Sequence, residues 1–283
     1  MKTAEKTKMK TRMVEKTLTI DAAIADVWKA LTDAEELVRW FPLQAEVTPG
    51  AGGKMKWTWD DKYAWEFEID EWQPEKKLKI SYTLNQDHFV NEEQMNPDSI
   101  MMNSSAVLAV DYELETQDGK TVLRLVHSGF GTDDKWDELY DGVRRGWNQE
   151  LLSLKHYVEH HLGRDRSVAW AVGNPKDSPV QVWEEMGASD ILSGLGKPHK
   201  EGERYVLSTP DGEEYTGTVL YHNPPWDFFA TVDNLNNSLI RVKQEKLDGL
   251  READIWLSAY GLPEEEVSKF KAYWELKLRS KFS

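Results

Sequence analysis

Residues 52–82 and 202–232 of this chain align without a gap at a constant offset of 150 positions. Under that offset Met55 meets Tyr205, Trp57 meets Leu207, Trp65 meets Tyr215, Ile69 meets Val219, Pro74 meets Pro224 and Leu78 meets Phe228. Few residues are identical, yet the apolar phase holds throughout, and a slip of one position would turn every side chain to the opposite face. A second stretch agrees: Leu123, Leu125 and Gly129 match Ile255, Leu257 and Gly261. A repeat this long implies two domains rather than a solenoid. The length of 283 residues suits two domains of about 140 each. The expected division is residues 1–163 and 164–283.

Within the first copy, Val14, Lys16, Leu18 and Ile20 alternate as in a strand. Asp21 reads as a helix N-cap, and Val27, Trp28 and Leu31 recur at helical spacing to about Leu37. Pro42 disfavours helical geometry at Phe41 and should end this helix. Three strands with two-residue periodicity follow. Their apolar faces carry Met55, Trp57 and Trp59, then Trp65, Phe67 and Ile69, then Leu78, Ile80 and Tyr82. Opposite them lie Glu66, Glu68, Asp70, Lys77, Lys79 and Ser81, the pattern of an antiparallel sheet solvated on one side. Residues 85–105 read as a long loop with a short helix, expected to cover one mouth of a cavity because Met95, Met101 and Met102 adapt to varied apolar shapes. A hairpin around Asp118-Gly119 follows, and then a long helix from about Asp133 to His161. The order predicts an α+β fold: two tandem domains, each a curved antiparallel sheet around a long C-terminal helix.

The second copy is reduced. Val182-Trp183 takes the part of Val27-Trp28, nothing corresponds to the long loop, and the last helix is shorter, from about Glu264 to Phe282. Phe67 is replaced by Gly217, Ile80 by Ala230 and His127 by Ala259. The small residues are expected to let the second sheet close toward its helix.

Composition removes several function classes. Fifty acidic against 35 basic residues give a net charge of −15, which repels nucleic-acid phosphates and anionic lipid. There is no Cys, hence no disulfide, thiolate metal site or cysteine nucleophile. No apolar run is long enough for a membrane span, and the basic start of the chain reads as a frayed arm rather than a signal peptide, so a cytoplasmic location is expected. Phosphate-binding loops, nucleophile elbows and metal-ligand spacings are absent, and no cofactor, metal or covalent nucleophile is expected. His160 and His161 are adjacent, cannot chelate as an i, i+4 pair, and read as favourable cations at a helix C-terminus. Acidic groups such as Asp60-Asp61, Asp133-Asp134 and Glu264-Glu265-Glu266 fall at turns or helix starts.

The chain resembles the START-like (SRPBCC) superfamily, especially the branch similar to the C-terminal domain of the heat-shock-protein-90 ATPase activator. The residues that carry the resemblance are Val27-Trp28 on the first helix, Trp40-Phe41, Gly52-Gly53, Trp72-Gln73-Pro74 with Leu78, His127-Ser128-Gly129-Phe130 and Gly146-Trp147. The resemblance covers residues 14–162 well and 167–282 in outline. It implies a helix-grip fold with an apolar cavity between sheet and long helix.

Thirteen Trp make the aromatic face the candidate site. Trp40, Trp57, Trp59, Trp65, Phe67, Tyr82, Trp136 and Trp147 either form plain core or line a ligand cavity. His127 shares phase with Leu123 and Leu125 and should point inward, as a satisfied core group, a ligand anchor or a general base. Three function classes follow: binding of a hydrophobic small molecule in the first domain, a co-chaperone-like module with a protein partner, or an aromatase, cyclase or hydrolase using His127. The expected partners are accordingly a hydrophobic small molecule or a chaperone, with neither nucleic acid nor membrane.

Overall fold

The computed structural model describes residues 11–59, 63–84, 100–247 and 250–282. Two antiparallel sheets account for most of it. The first comprises β1 (Arg12–Ile20), β2 (Gln44–Thr48), β3 (Lys54–Trp59), β4 (Tyr63–Gln73), β5 (Lys77–Thr83), β6 (Val107–Gln117) and β7 (Lys120–Phe130), in the order β1-β7-β6-β5-β4-β3-β2. Between these strands run α1 (Ile24–Thr32), α2 (Ala34–Leu37) and α3 (Ile100–Asn103), and α4 (Asp137–His156) follows. The second half supplies β8 (Arg166–Gly173), α5 (Pro179–Met186), β9 (Arg204–Ser208), β10 (Glu214–Asn223), β11 (Asp227–Val232), β12 (Ser238–Leu247), β13 (Leu250–Tyr260) and α6 (Glu264–Lys281). Its strands form a six-stranded sheet ordered β8-β13-β12-β11-β10-β9. The chain is an α+β protein of two tandem helix-grip domains. By compactness it divides into one unit of residues up to Leu37 with Pro42–Trp147, and another of Val38–Phe41 with Asn148 onward, so the division falls inside α4.

The duplication is written into the backbone as well as the side chains. Both copies break register at the same place, between Ile69 and Glu71 in β4 and between Val219 and Tyr221 in β10. Gly52 N–H donates to Ile69 O and Gly202 N–H to Val219 O, each at 2.8 Å. The two glycines have φ of +82° and +84°, a conformation that side chains with a Cβ resist. Leu114 N–H reaches Lys76 O as Gln244 N–H reaches Trp226 O, again at 2.8 Å in both. Residues 202–232 are three sequential antiparallel strands, as the repeat requires.

Several expectations need correction. Asp21 does not cap α1: the N-cap is Ala23, without a side-chain bond, and Asp21 pairs with Lys120. The helix stops at Thr32 rather than near Leu37, because Asp33 Oδ1 accepts the N–H of Glu35 and Glu36 and starts α2 afresh. β2 carries little periodic signal, since only Ala45 and Val47 mark its half-buried face. Among the described residues the second sheet has no equivalent strand, and an isolated bridge joins Ser193 to Ser208. The long helix is not uniform: a 3-10 turn (Asp134–Trp136) precedes α4 and a π turn (Tyr157–His161) follows it. Of the long loop, residues 85–99 lie outside the described residues, as do Asp60 and Asp61, while α3 supplies the short helix.

Gly217 also has a different cause from the one expected. A Cβ there would lie 1.9 Å from Thr231 O, so the missing side chain answers a close approach of β10 to the neighbouring strand β11, not of sheet to helix. Thr218 N–H donates to Thr231 Oγ1 at 2.9 Å and Tyr205 Oη–H to Thr231 O at 2.7 Å, fixing that approach. Gly217→Ala should therefore destabilise the protein by about 2 kcal/mol, because the clash is with backbone. Denaturant titration checks this, and a loss under ~0.5 kcal/mol would argue that the strands separate freely.

The second core is filled by Tyr215, Phe228, Ile240, Ile255, Trp274 and Leu278 among others. Among the described residues no helix is long and apolar enough to cross a membrane.

Candidate functional site

The inner face of the first sheet gathers aromatic rings from successive strands. Trp57 on β3 and Phe67 on β4 lie 4.2 Å apart by ring centroids. Phe67 and Trp65 each meet Tyr82 of β5 edge-on, at 5.2 and 5.3 Å. Such edge contacts add roughly 1 kcal/mol per pair beyond burial. Tyr82 connects to β7, where its phenol oxygen lies 3.1 Å from His127 Nε2. From α4, Trp147 Nε1–H donates to His127 Nδ1 at 3.0 Å.

The partners fix the imidazole's state. An indole N–H can only donate, so Nδ1 must carry a lone pair, and the neutral ring bears its proton on Nε2. Nε2–H therefore donates to the Tyr82 oxygen, and the phenol hydrogen points away from His127. Burial pushes the imidazole pKa down to about 3 and the Tyr82 phenol up. The neutral ring thus has both nitrogens engaged, by Tyr82 and Trp147, and among the described residues neither hydrogen-bond partner is a carboxylate. A general base needs a ring nitrogen within reach of the substrate's proton, and in this arrangement both nitrogens are occupied by side chains.

One neighbour of His127 was hidden from strand phase. Alternation from an inward His127 sends Phe130 outward, but Phe130 is fully buried, its ring 4.8 Å from the imidazole. A register shift between Arg12 and Met13 of β1, opposite Gly129 with φ of +105°, reverses the phase. Tyr140 packs edge-on to Phe130 at 5.5 Å and its hydroxyl donates to Met13 O at 3.0 Å, holding the start of α4 against β1. Tyr112 adds a ring 6.1 Å from Trp147.

Of the expected site residues, Trp57, Trp65, Phe67, Tyr82, His127 and Trp147 form one continuous cluster. Trp136 meets Phe130 edge-on at 6.2 Å. Trp59 sits half-buried at the end of β3. Trp40 stacks on Phe41 at 5.1 Å in the segment Val38–Phe41, which belongs to the second compact unit.

The equivalent positions of the second copy are apolar and closed. Leu207, Val232 and Ala259 replace Trp57, Tyr82 and His127 and are buried. Tyr215, at the position of Trp65, is 1% exposed and packs on Phe270 at 5.7 Å. Trp65 itself is only half-buried although its strand neighbours Phe67 and Ile69 are sealed.

Of the adjacent pair His160–His161, His161 is buried and bonded rather than left as a free cation at the helix end. His156 Nε2 and His161 Nε2 lie 2.7 and 3.0 Å from Asn237 O, a geometry in which each donates to the same carbonyl. Burial pushes His156 down to about 4 and lowers His161 also, so both are neutral at pH 7. Helical periodicity alone does not show the π turn that brings His156 beside His161. No group of three or more metal-ligating side chains occurs among the described residues.

Sheet order, the gripped helix and the inward aromatic face define a START-like helix-grip protein. Residues 21–159 match the family model described as Activator of Hsp90 ATPase homolog 1-like protein. No curated protein matches the chain. Among solved structures it is similar to protein MLL2253 from Mesorhizobium loti, at 21% identity over 53% of this chain and 98% of the other, with a TM-score of 0.44. DynU16, a protein of the dynemicin biosynthetic locus, is 16% identical over 94% of this chain and 95% of its own, with a TM-score of 0.42. The di-domain ARO/CYC protein BexL of the BE-7585A biosynthetic pathway is 13% identical over 93% of both chains, also at 0.42.

Proposed function

We propose that the first helix-grip domain binds a hydrophobic small molecule between its sheet and α4, and that the second domain is chiefly structural. The observation that carries this reading is the contrast at one repeat position. Trp65 keeps solvent contact while facing inward, and its counterpart Tyr215 is sealed. A half-open indole leads by edge contacts to Tyr82, and from there to the buried His127–Trp147 pair. Such a wall offers ring faces to an apolar body and a few polar atoms to orient it. On this reading the repeats are residues 1–163 and 164–283, and the ligand-facing set is Trp57, Trp65, Phe67, Tyr82 and Trp147, with His127 behind Tyr82 as its positioning group.

The family match supports a second reading, a protein-interaction module. The outer face of the first sheet would then be the docking side, where Lys54–Glu68, Lys56–Glu66 and Glu15–Arg124–Glu113 form cross-strand ion pairs. Exposed pairs of this kind are worth little to stability, so altering them tests docking without unfolding the domain.

Calorimetric titration of the full chain with dodecanol, a neutral apolar probe, tests the first reading. Losing half of an indole's roughly 200 Å² of contact removes about 2.5 kcal/mol, so Trp65→Ala should weaken binding by ~70-fold. His127→Ala removes only an orienting contact and should cost roughly fivefold. Equal binding by wild type and Trp65→Ala, with both folded by circular dichroism, would place the ligand elsewhere.

A further inference from the structure

β12 and β13 send Ile240, Val242, Ala253 and Ile255 into the core of the second unit. Alternation therefore puts Arg241, Lys243, Asp254 and Trp256 on the outer face of this sheet, where Lys243 stands directly across from Asp254. Such a face commonly meets water, yet Asp254 is 1% exposed. On its other side β8 offers it only Val172, and two residues along Trp170 packs on Trp256 with ring centroids 5.2 Å apart.

Asp254 is a sealed carboxyl without a hydrogen bond. Among the described residues its Oδ1 accepts none, and its Oδ2 meets Lys243 Nζ at 3.8 Å, beyond hydrogen-bonding distance. Lys243 also lies 3.5 Å from Glu245, a more exposed carboxylate. The other charged groups on this face are Arg241, bound by Glu150 of α4, Asp227, which accepts from Gln149 of α4 at 2.6 Å, and Glu252, across from Glu245. An ionised carboxylate needs donors to offset the water it has lost, and without them the neutral acid is favoured. Burial accordingly pushes the Asp254 carboxyl up to about 7, against the smaller opposing pull of Lys243.

We propose that Asp254 is a pH-sensitive switch buried in the second unit: below neutrality it stands as a neutral acid beside Lys243, and on the alkaline side it ionises and destabilises the fold. In the unfolded chain the same carboxyl ionises near 3.8, and below that value both states are protonated and nothing is lost. Between 3.8 and about 7 only the folded state keeps the proton, so this contribution falls as pH rises. Above about 7 both states are ionised and the loss is complete.

The test is carbon NMR of the full chain, labelled at its aspartate carboxyls, from pH 5 to 9 on wild type and Asp254→Asn, with urea titrations alongside. Asn keeps the shape of the neutral acid and cannot ionise. The expected result is a wild-type aspartate carboxyl that titrates near neutrality and is missing from the variant. The wild-type folding constant, divided by that of the variant, should fall about tenfold from pH 5 to 6 and level off by pH 8. His127 and His156 act equally in both proteins and cancel from this ratio. If Asp254→Asn does not fold, Lys243→Met decides, since removing the ion-pair partner should move the titration to higher pH. Aspartate carboxyls all ionised at pH 5.5, a near-neutral titration that survives in Asp254→Asn, parallel stability curves, or a midpoint unmoved in Lys243→Met would each overturn the proposal.

Discussion

Acidification from pH 7.5 to 4.5 is expected to destabilise the wild-type protein by about 2.7 kcal/mol through His127 alone. The folded imidazole, buried between Tyr82 and Trp147, protonates only near pH 3, whereas the unfolded one does so near 6.5. Between those values the unfolded state binds the extra proton, so stability is intact above pH 6.5 and falls as pH drops toward 3. Protonation would also break the Trp147 bond, since Nδ1 would become a donor facing a donor. His156, lowered to about 4, adds a similar dependence over a narrower window. Urea titrations at both pH values, on wild type and His127→Asn, isolate the first contribution. The variant should be less stable at pH 7.5 but lose less on acidification, by roughly one proton's worth of slope. The same slope in both proteins would mean that His127 is not buried in its neutral form.

Glu150→Leu is expected to destabilise the second compact unit by about 3–5 kcal/mol, because it leaves a guanidinium without its carboxylate. Glu150 on α4 receives both Nη1 and Nη2 of Arg241 on β12, at 2.5 and 3.0 Å, and Arg241 Nη2 also donates to Ser153 Oγ at 2.6 Å. The guanidinium lies 5.0 Å over the Phe229 ring, and both partners are mostly buried. Replacing the pair together, Glu150→Leu with Arg241→Met, should recover most of the loss, since neither charge then remains desolvated. A double-mutant cycle by chemical denaturation measures the coupling. Additive losses would show the two side chains to be independent and solvated.

How far the sequence revealed this molecule differs between fold and site. Strong alternation over residues 52–82 and 202–232 made the central strands and the repeat legible, because period-two burial leaves a mark on every second residue. β2 left no such mark, since its half-buried face holds only Ala45 and Val47. The inward direction of His127 could be read from its phase with Leu123 and Leu125, but its partners could not, because Tyr82 and Trp147 are 45 and 20 residues away. Phe130 was masked by a bulge that reverses phase, a feature carried by backbone geometry at Gly129 rather than by composition. Trp40 shared the aromatic signature of the site, yet aromatic character alone does not say in which compact unit a ring packs. Gly217 was recognised as a replacement for Phe67, and its reason lay in a neighbouring strand that periodicity does not locate.

Hydrogen exchange read by mass spectrometry, on the full chain with and without saturating dodecanol, tests most directly that the first domain holds an apolar ligand. The account expects slowed exchange in β4, β5, β7 and the first half of α4, around Trp65, Tyr82, His127 and Trp147, with β8 to β13 unchanged. Protection confined to β8 through β13, or none in β4 and β5, would contradict it.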